Sequence, residues 1–295
     1  MKVRIGVGVS GGALPAGGLG VLVDELDALG FDSLWLSEVL TTPVIDPLVG
    51  LAWAAARSPK LKLGTTMLLP GRNLLRLAKE LASLDALSEG RLLVTFVPGL
   101  TTSPEREAIG VPPKERPALF EEVMPVLRRL WAGETVDHEG PSGCIHDVTL
   151  SPLPVQQPLE MWLGGMARGA LERCGRLSDG WLPSLCSPAE AAAGREVIDE
   201  AAAGAGRMIS PEHFGVSIGY SRTPLDPRTI EALAARSRGR DPVEMVPVGL
   251  PALRNLLERF VDVGFSKFVV RPMAVGGSWA AELDELAGAV GDLQT

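Results

Sequence analysis

Residues 63–97 read LGTTMLLPGRNLLRLAKELASLDALSEGRLLVTFV and set out strand, loop, helix, turn and strand in one stretch. The apolar run at 61–69 ends at Pro70-Gly71, a turn dipeptide. Leu74, Leu77, Ala78, Leu81, Leu84 and Leu87 then recur at three- and four-residue spacing, which is one face of a helix. Gly90 supplies the left-handed stop, and 92–97 is a second apolar run. Strands that lack polar alternation are covered on both faces, as in parallel sheets flanked by helices. The stretch is therefore a βαβ unit.

Working outward, the same rhythm recurs. Residues 3–9 read as a strand and 19–29 as a helix stopped by Gly30; 32–36 and 46–57 are the next pair, with Asp46 as N-cap and Pro47 in the first helical position. A helix at 117–130 follows a loop, 99–113, too long to be a mere connection, and such loops tend to be functional. The Gly- and Pro-rich segment of about 132–158 breaks the pattern and predicts an inserted hairpin. Strands at 159–163, 180–183, 213–220 and 267–271 then alternate with helices at 166–176, 188–203, 227–236, 253–263 and 280–293. Eight strands, with about eight helices at roughly 37 residues per unit, fit one α/β domain over 1–295, a (β/α)8 TIM barrel with an insertion after the fourth helix.

Composition narrows the function. With 46% apolar and 22% charged residues the chain is ordinary globular protein, and a net charge of −8 argues against nucleic acid as a partner. No apolar run reaches the length of a membrane span. The uncharged start at 5–23 holds seven glycines and Pro15 and lacks a cleavage site, so a cytoplasmic chain is expected. Cys144, Cys174 and Cys186 lack metal or redox spacing, and His138, His146 and His213 are scattered, so reduced thiols and no metal site are expected.

Gly6, Gly8 and Gly11 match a G-x-G-x-x-G dinucleotide fingerprint, with Glu38 at the end of the second strand as the acid. The helix should begin inside that motif, yet 10–18 carries Pro15 and two Gly-Gly pairs. A glycine-rich first loop on a barrel is the better reading.

Several segments together resemble the luciferase-like monooxygenase superfamily of flavin- and deazaflavin-dependent oxidoreductases. They are LGFDSLWLSE at 29–38, the 63–93 stretch, Gly110-Val111-Pro112 with the helix ending Leu130-Trp131-Ala132-Gly133, and Trp162-Leu163-Gly164-Gly165. LSDGWLP at 177–183, Gly264-Phe265 and the strand 268–271 complete the likeness in chain order. The resemblance implies a barrel, commonly a homodimer, with a flat ring across the C-terminal mouth. The strand ends that would meet a ligand are Ser37 and Glu38, Thr66 and Met67, Pro98 and Gly99, Gly164 and Gly165, Pro183, and Arg271.

The resemblance also implies a cis peptide bulge at Thr66–Met67 against one ring face. It places the cofactor phosphate at Gly164-Gly165-Met166-Ala167-Arg168, where the amides of a helix start bind anions and Arg168 adds a charge. Many deazaflavin-dependent members carry a histidine where this chain has Val39, and some a glutamate where it has Leu100. Glu38 is then the ionisable group left to serve as catalytic acid or cofactor contact, with a structural ion pair as the alternative. Arg72 and Arg271 are candidates for an acidic tail or substrate, surface exposure being the plainer reading of Arg72. The resulting expectation is hydride transfer between a deazaflavin of the F420 type and a small organic substrate, in a pocket walled by Trp35, Met67 and the 99–113 loop. An FMN-dependent monooxygenase and a cofactor-binding protein with little catalysis are the competing readings.

Overall fold

Each apolar run becomes a parallel strand of a single closed sheet. In chain order the elements are β1 (Arg4–Gly8), α1 (Leu19–Ala28), β2 (Ser33–Ser37), α2 (Pro47–Arg57), β3 (Lys62–Leu68), α3 (Leu74–Leu87), β4 (Leu92–Val97), α4 (Glu105–Ala108), α5 (Arg116–Trp131), β5 (Thr135–Gly140) and β6 (Gly143–Thr149). They continue with β7 (Met161–Leu163), α6 (Arg168–Leu177), β8 (Gly180–Trp181), α7 (Pro188–Gly204), β9 (Gly215–Tyr220), α8 (Pro227–Ala234), α9 (Pro242–Met245), α10 (Leu250–Asp262), β10 (Lys267–Pro272) and α11 (Trp279–Val290). This computed structural model describes residues 1–9, 18–99, 105–235 and 241–295.

The strand order is β8-β7-β4-β3-β2-β1-β10-β9, every neighbouring pair parallel. The two ends meet through bridges Trp181 to Phe214 and Ser184 to Ser217, with Ser217 N donating to Pro183 O at 2.8 Å. The sheet is thus a closed eight-stranded barrel, as the unit count expects, and not an open dinucleotide-binding sheet. Gly6 and Gly8 have another role: a Cβ on Gly6 would strike Ser33, and one on Gly8 would lie 2.8 Å from the Cγ and Nε of Arg271. They clear the barrel interior for neighbouring side chains. Gly11 lies outside the described residues.

The inserted hairpin is β5 paired antiparallel with β6. Asp46 caps α2 by accepting from Leu48 N at 2.9 Å and Val49 N at 3.2 Å, and Gly90 has φ +79°. The seventh connection departs from a simple repeat: α8 and the single turn α9 precede α10, and α4 adds a turn inside the 99–113 loop. Such short turns carry too little periodicity to be read from sequence.

Alternation along the strands divides the packing into two layers. Ile5, Val7, Leu34, Leu36, Leu63, Met67, Val94 and Phe96 face the helices in one continuous core. Inside the barrel a separate cluster of Trp35, Trp162, Leu182 and Val269 packs with Leu93. A Cβ on Gly64 would stand within the Trp35 indole, and one on Gly180 within the Trp162 indole. Each ring therefore lies flat against the glycine of the next strand, along the barrel wall, and the two help to fill the interior.

Beneath these rings, at the strands' N-terminal ends, charge fills the barrel. Asp32 pairs with the buried Lys267 and with Lys62 at 3.1 Å, and Arg4 pairs with Glu212 at 2.6 Å. Burial pushes the Lys267 ammonium down to about 8, against the opposing pull of Asp32. With ions below and aromatic rings across the middle, the open side is the C-terminal mouth, where TIM barrels carry their chemistry.

Candidate active site

Parallel register stacks the inward-facing residues in rows. Trp35, Gly64 and Leu93 form the lowest, Ser37, Thr66, Thr95 and Trp162 the next, and Leu68 and Val97 the one above. The middle row sets three hydroxyls side by side on β2, β3 and β4, one row above Trp35 and level with Trp162. Thr66 Oγ1 and Thr95 Oγ1 are sealed from solvent and have no hydrogen-bond partner. An orphaned buried hydroxyl costs about 1–3 kcal/mol, so two on one wall are a debt that packing leaves open.

Met67 faces the other way. It is fully buried among the helix-facing residues, so it does not wall the mouth. Nor does the chain bulge there: β3 and β4 stay in register through Met67–Phe96 and Leu68–Val97. The cis peptides among the described residues are Ser151–Pro152 and Gln157–Pro158, so the Thr66–Met67 bond is trans.

Glu38 ends β2 with both oxygens engaged. Oε2 accepts from Leu68 N at 2.7 Å, and Oε1 accepts from Arg72 Nη2 at 2.5 Å. Arg72 also donates through Nε to Leu68 O at 3.0 Å, and its Nη1 lies 3.6 Å from Glu80. The two residues lace the end of β3 to the end of β2. Arg72 is therefore no free surface cation, and Glu38 holds the rim through a half-buried ion pair.

The 99–113 loop is built around a cation the sequence reading passed over. The buried Arg116 donates to Val111 O at 3.0 Å, Pro98 O at 3.0 Å and Arg106 O at 3.1 Å. Gly99, with φ +79°, packs so closely that a Cβ would lie 3.0 Å from Leu68 and 3.2 Å from Arg116. Glu105 Oε1 accepts from Thr41 N at 2.9 Å and Thr41 Oγ1 at 3.0 Å, tying this loop to the one after β2. Val39 is exposed on that rim, and Leu100 lies outside the described residues.

Across the mouth, Gly164 N donates to Phe96 O at 3.2 Å, and a Cβ on Gly164 would lie 3.0 Å from Val97. Gly165 has φ +104°, which only glycine adopts readily, and its carbonyl accepts from Trp181 Nε1 at 3.0 Å. Met166 is half-buried against the helix-facing core. Helix α6 starts at Arg168 after Ala167, which offers no capping side chain; Ala170 N already donates to Ala167 O at 2.8 Å, which leaves the amides of Arg168 and Gly169 as the uncapped donors. The Arg168 side chain points outward, 76% exposed and paired with Glu172 at 2.8 Å. Any anion held here is held by backbone. Arg271 lies on the inner wall, its stem across Gly8.

The fold is a closed TIM barrel whose strand ends and loops gather at one C-terminal mouth. The chain belongs to the luciferase-like monooxygenase family, whose model matches residues 2–247. It is 26% identical over 189 residues to a protein of Kineococcus radiotolerans named F420-dependent glucose-6-phosphate dehydrogenase, covering 61% of this chain and 56% of that one. The protein of the same name from Beutenbergia cavernae is 30% identical over 250 residues, covering 73% and 70%. Among solved structures, an F420-dependent secondary alcohol dehydrogenase in complex with an F420–acetone adduct superposes with a TM-score of 0.81 at 17% identity, over 100% of both chains.

Because both Glu38 oxygens are already engaged within the protein, Glu38→Gln is expected to loosen the rim and lower the melting temperature by a few degrees while ligand affinity stays within about threefold. Thermal melts run beside ligand titration check this. Loss of turnover at unchanged stability and affinity would instead give Glu38 a part in proton transfer.

Proposed function

We propose that this chain is an oxidoreductase that holds an F420-type deazaflavin at its C-terminal mouth and passes a hydride between that cofactor and a small organic substrate. The observation that carries the reading is the build of the mouth: indoles filling the barrel interior, a Thr66 hydroxyl without a partner one row above Trp35, and a helix start without a capping side chain across from it. These parts fit a flat ring with a polar edge and a phosphate on a side arm. Thr66, Pro98 and Gly99 would border the ring. Gly164, Gly165 and Met166 would leave the phosphate to the amides of α6. Arg168, already paired with Glu172, adds long-range attraction. When bound, the deazaflavin supplies two-electron hydride chemistry.

The rest falls to the protein. Trp35 and Trp162 close the barrel from below and keep water out of the reaction space. Arg116 and Glu105 fix the two loops that border the substrate, and the Glu38–Arg72 pair keeps the β3 end in place. Among the described residues at the mouth, no histidine stands where a proton relay would be expected.

The quaternary and cellular readings are part of the proposal. Val49 and Trp53 are exposed one turn apart on α2, and Val21 is exposed on the neighbouring α1, an apolar face suited to a homodimer. Cys144, Cys174 and Cys186 form no disulfide, which suits a reducing cytoplasm. Sedimentation should therefore give a dimer that Trp53→Glu splits; a monomeric wild type would remove that assignment.

Anaerobic titration with F420 and, separately, with FMN tests the function. F420 is expected to bind, and its reduced form to be oxidised by some member of a panel of carbonyls and activated alkenes. Binding of FMN alone would make the chain a flavin monooxygenase. Binding of F420 with no turnover across the panel would make it a carrier, and binding of neither would overturn the proposal.

A further inference from the structure

His213 stands at the N-terminal end of the barrel, in the short 3-10 turn Pro211–His213 that leads into β9. Both of its ring nitrogens face acceptors. Nδ1 lies 2.9 Å from Asp179 O, and Nε2 lies 3.5 Å from the Glu160 carboxylate. Glu160 also accepts from Trp162 Nε1 at 3.2 Å, and the Trp162 indole packs against the imidazole with ring centroids 5.5 Å apart. A Cβ on Gly180 would strike both the indole and the His213 carbonyl. The indole therefore runs from β7 across β8 to the start of β9.

Those three strands meet where the barrel closes, and the closure is thin. β8 has two residues, and it joins β9 through isolated bridges at Trp181–Phe214 and Ser184–Ser217 instead of a continuous ladder. Glu160, Trp162 and His213 span this seam from one side to the other. The histidine and glutamate side chains are 28% and 29% exposed, so protons reach them from solvent. The other charges around the imidazole are already engaged: Asp179 by Arg128 at 2.9 Å and Arg207 at 3.3 Å, Glu212 by Arg4 at 2.6 Å, and Lys267 by Asp32. That leaves Glu160 as the carboxylate that answers to the charge of the ring.

We propose that this cluster is a proton-sensitive clasp on the barrel seam, and that it acts on the start of α6 at the opposite end of the barrel. An imidazole changes charge between about pH 5 and pH 8. With Nδ1–H directed at the Asp179 carbonyl, the proton that comes and goes is the one on Nε2. When present, it donates to Glu160 and draws β7 and β9 together. When absent, a ring lone pair faces the carboxylate and the clasp slackens. Asp179, Gly180 and Trp181 carry the change upward: Asp179 O holds the histidine, and two residues on, Trp181 Nε1 donates to Gly165 O at 3.0 Å. On the cofactor reading above, on which this second half rests, Gly165 belongs to the phosphate cradle. The clasp then tunes how firmly that cradle is held.

Ligand-free protein tests the clasp, and F420 titration tests its reach. Tryptophan emission followed from about pH 5 to about pH 9 is expected to show a step within the imidazole range. The step should disappear in Trp162→Phe and in His213→Asn, whose amide still donates to Asp179 O. F420 should bind about threefold more tightly at about pH 6 than at about pH 8, the scale of a partly exposed ion pair. That difference should vanish in His213→Asn and in Glu160→Gln, which keeps an acceptor for Trp162. Any ionisation of the ligand itself is common to all these proteins and cancels in the comparison. Trp181→Phe should keep the emission step and lose the pH dependence of binding, a split that a purely local role for His213 does not produce.

Absence of the step in the wild type, or its survival in His213→Asn, would overturn the clasp. A wild-type pH dependence of binding retained in His213→Asn or in Trp181→Phe would overturn its reach to Gly165. Failure of the wild type to bind F420 at either pH would instead overturn the cofactor reading, and the emission step still decides the clasp in the ligand-free protein.

Discussion

Two indoles lying flat over two glycines are the constraint from which the rest of the molecule follows. Trp35 needs Gly64 on β3, and Trp162 needs Gly180 on β8; any side chain at either glycine would occupy the ring's own space. The pair fills the barrel at mid-height with Leu182, Val269 and Leu93. Beneath lies an ionic cluster around the buried Lys267 and Asp32. Everything above is open to the strand ends. This filling thus turns a closed sheet into a one-sided cup, and only then can loops at the rim act on a ligand.

The cup is lined unevenly, and the unevenness carries the function. Charged groups at the rim are mostly spent on the protein: Glu38 on Arg72 and Leu68, Arg116 on three carbonyls, Glu105 on Thr41. Polar capacity left over sits in the Thr66 and Thr95 hydroxyls and in the first amides of α6. A site so arranged recognises shape and hydrogen-bonding pattern more than net charge. On the function proposed above, the reactive chemistry falls to the cofactor.

How much of this was legible in the sequence follows from the range of each interaction. The barrel was readable because uninterrupted apolar strands, helical periodicity, Asp46-Pro47 and Gly90 are local signals that repeat unit after unit. The inserted hairpin declared itself through Gly and Pro. The rim was not readable in the same way. Glu38 meets Arg72 across the neighbouring ends of β2 and β3, and Thr41 meets Glu105 across the gap between the loops after β2 and β4; no local pattern encodes either. The resemblance misjudged Met67, since a strand held in register with β4 turns that side chain to the helices. Arg168 was read from its place at a helix start, but its long side chain reached Glu172 on the outer surface instead.

The most direct test of the account is a crystal structure of the protein with F420 bound. The ring should rest over the Trp35 and Trp162 indoles, with its polar edge toward β3 and β4 and its phosphate at the start of α6. A ring found elsewhere would contradict the account, for instance in the outer cleft lined by Cys186, Ser187 and Leu256. So would a ring in the mouth with its phosphate far from Gly165.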